Sequence, residues 1–276
     1  VCGNQTKLTR YDTTRVPPVW GEDHLLPRVP DGNGFMKGVL GPGGAIYNVT
    51  PDGKAWELFS VGFRNPYDAA YNRAGDLFTY DADMEWDFNT PCDWSYGKLY
   101  AVHLKPKGAG YTADVEEFVT GTPLPLTDLV INPADGAMYF AIGGRRTKSG
   151  LYRVTYTGGE AAGQTPPPDA AAEKARQARL ALEKFHGAKG PDAIDAIWPH
   201  LGSPDRYVRF AARVALEHRD AKLWADRVLA ETDPVRAMHA VLALARVSAP
   251  CPEHTKDKKV KGDPELRGRM LEALGR

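Results

Sequence analysis

Three short segments of this chain recur at a nearly constant spacing, and that period constrains the fold more than any other feature. Gly44-Ala45-Ile46-Tyr47-Asn48-Val49, Gly97-Lys98-Leu99-Tyr100-Ala101-Val102 and Gly150-Leu151-Tyr152-Arg153-Val154 place tyrosines 53 and 52 residues apart. A second pair falls in the same frame. Pro66-Tyr67-Asp68, Asn72, Gly75 and Leu77-Phe78 match Pro125, Asp128, Asn132, Gly136 and Met138-Tyr139 to within a one-residue insertion. Each unit reads as a strand, a turn such as Pro51-Asp52-Gly53 and a second strand (56–61 or 115–119), followed by a strand, a turn and a strand. Four strands recurring about every 50 residues are the signature of a propeller blade. The expectation is therefore a partial β-propeller of four-stranded antiparallel blades, with an ordinary β-sandwich as the alternative. Closing a propeller takes at least about four blades. Residues 1–160 supply two complete units, part of one before Gly44 and the opening strand of the next, so the array is not expected to close by itself.

Composition changes near residue 160. Gly, Pro and aromatics give way, after Gly163-Gln164-Thr165-Pro166-Pro167-Pro168, to Ala, Leu, Glu and Arg at helical spacing. Helices are expected over 169–187, 191–201, 205–218, 221–231, 233–247 and 264–274. Asp205 to Leu216 and Asp233 to Leu244 share an Asp, Val-Arg start and an Ala/Leu face, the pattern of a HEAT-type repeat in which the Asp caps the helix and the Arg reaches its neighbour. The organisation read from this is a partial propeller over 1–158, a Pro-rich linker over 159–168 and a HEAT-like α-α solenoid over 169–276. Strands are expected only before 158 and helices only after 168.

Charge and cysteine usage remove several function classes. Lys+Arg and Asp+Glu both number 35, so no net charge favours a nucleic-acid backbone or an anionic bilayer. No apolar run of about 18 residues exists to span a membrane. Cys2, Cys92 and Cys251 are odd in number and include no Cys-x-x-Cys, which excludes a readable disulfide framework, a zinc ribbon and covalent c-type haem in this chain. The start at Val1 without Met or a signal peptide reads as a processed form or a fragment. The run Thr255 to Lys261 reads as a solvated loop.

Chemistry concentrates in two stretches. Gly62-Phe63-Arg64-Asn65-Pro66-Tyr67-Asp68 puts a guanidinium fork and an amide just before a strand, where loops meet a ligand, and suits an anionic or polyhydroxylated one. The competing reading is that Arg64 pairs with Asp68 as structural cement. Asp81, Asp83, Glu85 and Asp87 alternate, so in extended backbone their carboxylates share a side and call for calcium or a basic partner. The spacing is not that of an EF-hand, because Trp86 stands where Gly is needed and Cys92 where Glu is needed. Arg145 and Arg146, with Lys148, form a basic loop that could face the same anion or be a plain connector. Trp56, Trp86 and Trp94 read as core rather than sugar platforms, and His103 as a strand residue. No Ser-His-Asp arrangement, phosphate loop or H-E-x-x-H motif occurs.

Residues 63–68, 76–87, Cys92 to Gly97, Thr122 to Asp128 and Phe140 to Val154 resemble the large membrane-bound dehydrogenases of the PVC-type haem-binding group. The resemblance covers residues 34 to 249. Members join a propeller, HEAT-like repeats and a C-terminal cytochrome c module. It implies an extracytoplasmic (periplasmic or secreted) protein acting on a sugar or alcohol. Members carry a long stretch between Asn-Thr-Pro and Cys-Asp-Trp, whereas here Pro91 runs straight into Cys92. A more distant similarity is to quinoprotein glucose and sorbosone dehydrogenases, in which an Arg-Asn-Pro motif touches a quinone beside calcium. It implies ligand contact for Arg64 and Asn65, but oxidation there also needs a His as base, and none is assignable. The alternative class is a non-catalytic binding module for a glycan or a protein partner, with a docking surface on the helices.

Overall fold

The computed structural model describes residues 2–4, 11–17, 44–63, 66–81, 92–93, 97–144, 147–159, 169–187, 193–248 and 263–275. The chain divides into two compact units, one of Val1–Asp81, Gly108–Gly110 and Ala171–Arg276, the other of Ala82–Lys107 and Tyr111–Ala170.

The first unit holds β1 (Cys2–Asn4), β2 (Thr13–Thr14), β3 (Gly44–Val49), β4 (Trp56–Phe63), β5 (Pro66–Tyr71) and β6 (Leu77–Asp81). Its four-stranded sheet has the order β1-β3-β4-β2, and β2 joins it in parallel, Thr13 opposite Glu57 and Thr14 opposite Leu58. Apolar residues of β3 and β4 form a small core of Val16, Ala45, Tyr47 and Leu58. Trp56 meets Tyr47 edge to face at 5.6 Å, and its indole N–H donates to the Gly53 carbonyl at 3.0 Å. β5 and β6 form a separate two-stranded antiparallel hairpin.

The described residues of this unit after 169 are mainly helical, with α1 (Ala170–Glu183) beginning one residue before the unit boundary and followed by α2 (Ile194–Ile197), α3 (Arg206–Glu217), α4 (Ala225–Ala230), α5 (Pro234–Ser248) and α6 (Pro264–Leu274). Asp205 caps α3 by accepting from the Tyr207 and Val208 amides at 2.8 and 3.1 Å. Asp233 accepts from the Arg236 amide at 2.8 Å at the start of α5. Both aspartates do what an N-cap must, taking amides that have no partner inside the first turn. Ala211 to Glu217 are all buried, so the second half of α3 is enclosed on every side. It packs into one cluster with Leu182, Ile197, Leu201, Trp224, Val228, Val241 and Leu244.

The second unit holds β7 (Cys92–Asp93), β8 (Lys98–Lys107), β9 (Gly110–Thr120, its first residue counted with the first unit), β10 (Leu126–Ile131), β11 (Met138–Gly144) and β12 (Thr147–Val154). They form two three-stranded sheets, β7-β8-β9 and β10-β11-β12. Leu99, Leu126, Phe140 and Ile142 are the buried core.

Strands lie only before residue 158 and helices only after 168 among the described residues, but the expected architecture is not formed. A propeller blade would require the four strands of each repeat to join in one antiparallel sheet. Each repeat instead breaks into two hairpins in different sheets, none of the sheets closes, and β2 pairs in parallel. The breaks fall at Pro66 and just before β10 at Pro125, where proline lacks the amide that would continue a ladder. Nor do the described helices form the expected HEAT-like solenoid. Its second helix shrinks to four residues and continues as a tighter turn over Trp198–Gly202, with Pro199 at its start. The fourth begins as a 3-10 turn over Ala221–Leu223. Helices this unequal cannot stack as equivalent pairs, and they gather around α3 and α5 instead.

The sequence repeat is nevertheless real structure at the level of one hairpin. In β5-β6 the register slips between Pro66 and Asp68, and in β10-β11 it slips between Leu126 and Asp128. In both, the aspartate after the bulge accepts the next residue's amide, Ala69 or Leu129, at 2.7 Å. Both turns open on an asparagine and close on a glycine with positive φ, Gly75 at 81° and Gly136 at 67°, a conformation that costs other residues about 1–2 kcal/mol. The Asn72 and Asn132 carbonyls accept from those glycine amides at 3.0 and 2.8 Å.

Candidate functional site

Of the eight residues singled out from the sequence, Arg64, Asn65, Arg145, Arg146, Asp83, Glu85 and Asp87 lie outside the described residues, as do Trp86 and Trp94. Asp81 is described in its backbone as the last residue of β6. The strands do locate where two of these segments enter and leave. Pro66 stands opposite Asp81 at the open end of the β5-β6 ladder, so the chain enters the hairpin from Arg64-Asn65 at the end where Asp81 leaves it. Arg145 and Arg146 are the two residues connecting Gly144 to Thr147, which are paired across β11 and β12. The calcium expectation rests on carboxylates outside the described residues, and among the described residues no group of three or more His, Cys, Asp or Glu side chains is placed to hold a metal ion.

At the other end of the same hairpin lies an ionic node that the sequence reading missed. Asp76, in the β5-β6 turn, accepts from Arg176 Nε at 2.9 Å and from Arg179 Nη2 at 2.6 Å. Arg176 also donates to the Ala74 carbonyl, and Arg179 to the Ala109 carbonyl at 3.0 Å and to Glu183 at 2.6 Å. The three side chains at its centre are 11 to 17% exposed, so water competes little for them. Burial opposes the charge on Arg179, yet Asp76 and Glu183 hold its pKa above the ordinary value. The spacing of Arg176 and Arg179, three apart on α1, was a readable hint of a shared face. Nothing in the sequence pointed to a partner about 100 residues away.

The helical cluster contains two more saturated nodes. Glu231 accepts from Trp198 Nε1 at 2.7 Å, Arg236 Nε at 3.1 Å and the Thr232 and Asp233 amides at 2.9 Å. Although burial works against its charge, Arg236 and these N–H donors bring its pKa down to about 2. Glu217, fully buried, accepts from Arg213 at 2.9 Å and lies 3.6 Å from Arg246. These arrangements fix elements to one another, with both carboxylates saturated by donors.

Four of the five described histidines follow the same pattern. His103 on β8 pairs with Glu116 of β9 at 3.4 Å. His239 accepts from Arg209 Nε at 3.1 Å, which joins α5 to α3. His186 and His218 each bond a main-chain carbonyl, Ala211 at 2.9 Å and Arg15 at 3.0 Å. Comparison with family models, with curated proteins and with solved structures finds no match to this chain.

Proposed function

We propose that this chain is a binding module of an extracytoplasmic protein, holding a hydroxyl-rich or carboxylate-bearing ligand through Arg64 and Asn65 at the open end of the β5-β6 hairpin. The observation that supports the reading is that β5 begins at Pro66, paired with Asp81, and that Arg64-Asn65 immediately precede it in the sequence. A guanidinium and an amide at such an end offer a fork of donors and one further donor and acceptor, matched to a carboxylate beside hydroxyls. Binding is preferred to oxidation in this reading because four of the five described histidines, 103, 186, 218 and 239, are engaged in pairing and packing rather than held free as a base for a hydroxyl proton. Among the described residues no helix is long and apolar enough to cross a membrane.

The second reading, oxidation of a sugar or alcohol with a quinone acceptor, follows from the resemblance of Arg64-Asn65-Pro66 to the quinoprotein motif. The place of Pro66 as first residue of β5 favours it. One experiment separates the two. Calorimetric titration with D-glucose and with a tricarboxylate quinone is run on the parent chain and on Arg64→Ala, beside a dye-reduction assay. Binding of either probe, weakened ten-fold or more in Arg64→Ala with an unchanged melting temperature, is the expected result, since a lost charge-assisted hydrogen bond is worth about 1.5–3 kcal/mol. Affinity unchanged by the substitution overturns the assignment of Arg64, and dye reduction by the parent chain moves the reading to the oxidoreductase.

A further inference from the structure

Two histidines meet inside the first unit. The rings of His186, just past α1, and His218, at the C-terminus of α3, stack with centroids 6.1 Å apart and planes 22° from parallel. His186 Nε2 lies 2.9 Å from the Ala211 carbonyl and His218 Nε2 lies 3.0 Å from the Arg15 carbonyl. A carbonyl only accepts, so both Nε2 atoms carry the proton and both Nδ1 atoms are bare in the neutral rings. The second bond spans 203 residues and ties the segment around β2 to the helices.

The surroundings are cationic. From the β2 segment comes Arg15, whose guanidinium pairs with Glu57 of β4 at 3.0 Å. From the C-terminus of α3 comes Arg219, buried, donating to the Phe185 carbonyl at 3.2 Å and lying 5.9 Å over the Phe185 ring. The acids on the same elements are committed elsewhere, Glu183 to Arg179 and Glu217 to Arg213, while Asp220 caps the next turn. A proton added to His186 therefore meets Arg15, Arg219 and the other imidazole, and one added to His218 meets Arg219.

We propose that the His186-His218 pair is an acid-sensitive latch that holds the Thr13–Val16 segment on the helical cluster when neutral and releases it when protonated. Burial first, and then the neighbouring cations, bring His186 down to about 4 and lower His218 as well. Both rings thus resist protonation while the segment is docked, and the share of that resistance that the segment supplies, its burial of the rings and the charge of Arg15, is lost when it leaves. The sign follows from linkage. A histidine whose folded pKa is depressed adds stability that is fully present above about 6.5 and is lost as pH falls toward 4. Each unit of pH in that window lowers the closing equilibrium of the latch up to about ten-fold per linked histidine.

The test compares the parent chain with the His186→Gln/His218→Gln double variant, which keeps a side-chain N–H for each carbonyl but cannot titrate. Hydrogen exchange of the peptide spanning 11–17, corrected for intrinsic rate, is followed from pH 7.5 to 5 alongside the melting temperature. The Arg15 amide, which donates to the Leu58 carbonyl at 2.9 Å, is the local reporter. Exchange there is expected to rise at least ten-fold on acidification in the parent and to stay nearly flat in the variant. Equal acid responses in the two proteins overturn the latch. Should the double variant not fold, NMR titration of the parent decides, and a His186 pKa at or above 6.5 overturns it.

Discussion

The β5-β6 and β10-β11 hairpins are built from the same sequence pattern and end in different structures. Both carry the bulge before the aspartate, the asparagine that opens the turn and the positive-φ glycine that closes it. β10-β11 then takes on a third strand, β12, with Phe140 and Tyr152 stacked at 5.0 Å and 12°. β5-β6 stays two-stranded and is tied at its turn to α1 by Asp76. In the twin turn, Asp135 makes an exposed pair with Arg153 at 3.1 Å and accepts from the Tyr139 hydroxyl. The comparison teaches that a turn made of local hydrogen bonds reproduces wherever its sequence recurs. What a hairpin is fastened to depends on which distant groups happen to face it.

Breaking the fastening should have the largest effect. Asp76→Ala strips two poorly hydrated guanidiniums of their shared carboxylate, and we expect a loss of about 3 kcal/mol by urea denaturation, the low end for removing one partner of a buried ionic group. Asp135→Ala, at the matching turn, should cost no more than about 1 kcal/mol, because water replaces its exposed pair with Arg153 and the Ala137 amide, at 3.0 Å, loses a partner. Equal losses at the two sites would sink the contrast. Next in size come the turn glycines. Gly75→Ala and Gly136→Ala have open space where a Cβ would go, so only backbone strain of about 1–2 kcal/mol is expected, and it should be the same in both hairpins. The smallest effect belongs to the asparagines. The Asn72 side chain accepts from the Asp76 amide at 2.9 Å and that of Asn132 from the Ala134 amide at 3.0 Å. Alanine at either should cost about 1 kcal/mol. An Asn72→Ala loss well above that of Asn132→Ala would mean that the turn also positions Asp76 for its arginines.

The candidate site divides in the same way. Arg64 and Asn65 stood out because their residue types and their place before Pro66 carry chemistry on their face, and the strand does begin at Pro66. Asp76, Arg176 and Arg179 did not stand out, since an aspartate after a turn glycine and arginines on a helix are unremarkable one at a time. Their meeting spans 100 and 103 residues. The stacked histidines were equally hidden, because neither His186 nor His218 has a ligand-like spacing with the other.

What this chain's sequence determined by itself is whatever a hydrogen bond within about five residues can enforce. That covers the paired bulge and turn at 66–81 and 125–144, the aspartate caps at 205 and 233, and the helical character of the described residues after the proline-rich stretch. Tertiary packing decided how those pieces were joined. It broke each four-strand repeat at a proline and set β2 parallel to β4. It also closed the helices around α3 rather than stacking them as equal pairs. The physical reason is that local turns and caps satisfy orphan amides at little cost in chain entropy, whatever surrounds them. The choice among distant partners is made by burial and by the pairing of desolvated charges, and depends on every surface the folded chain presents.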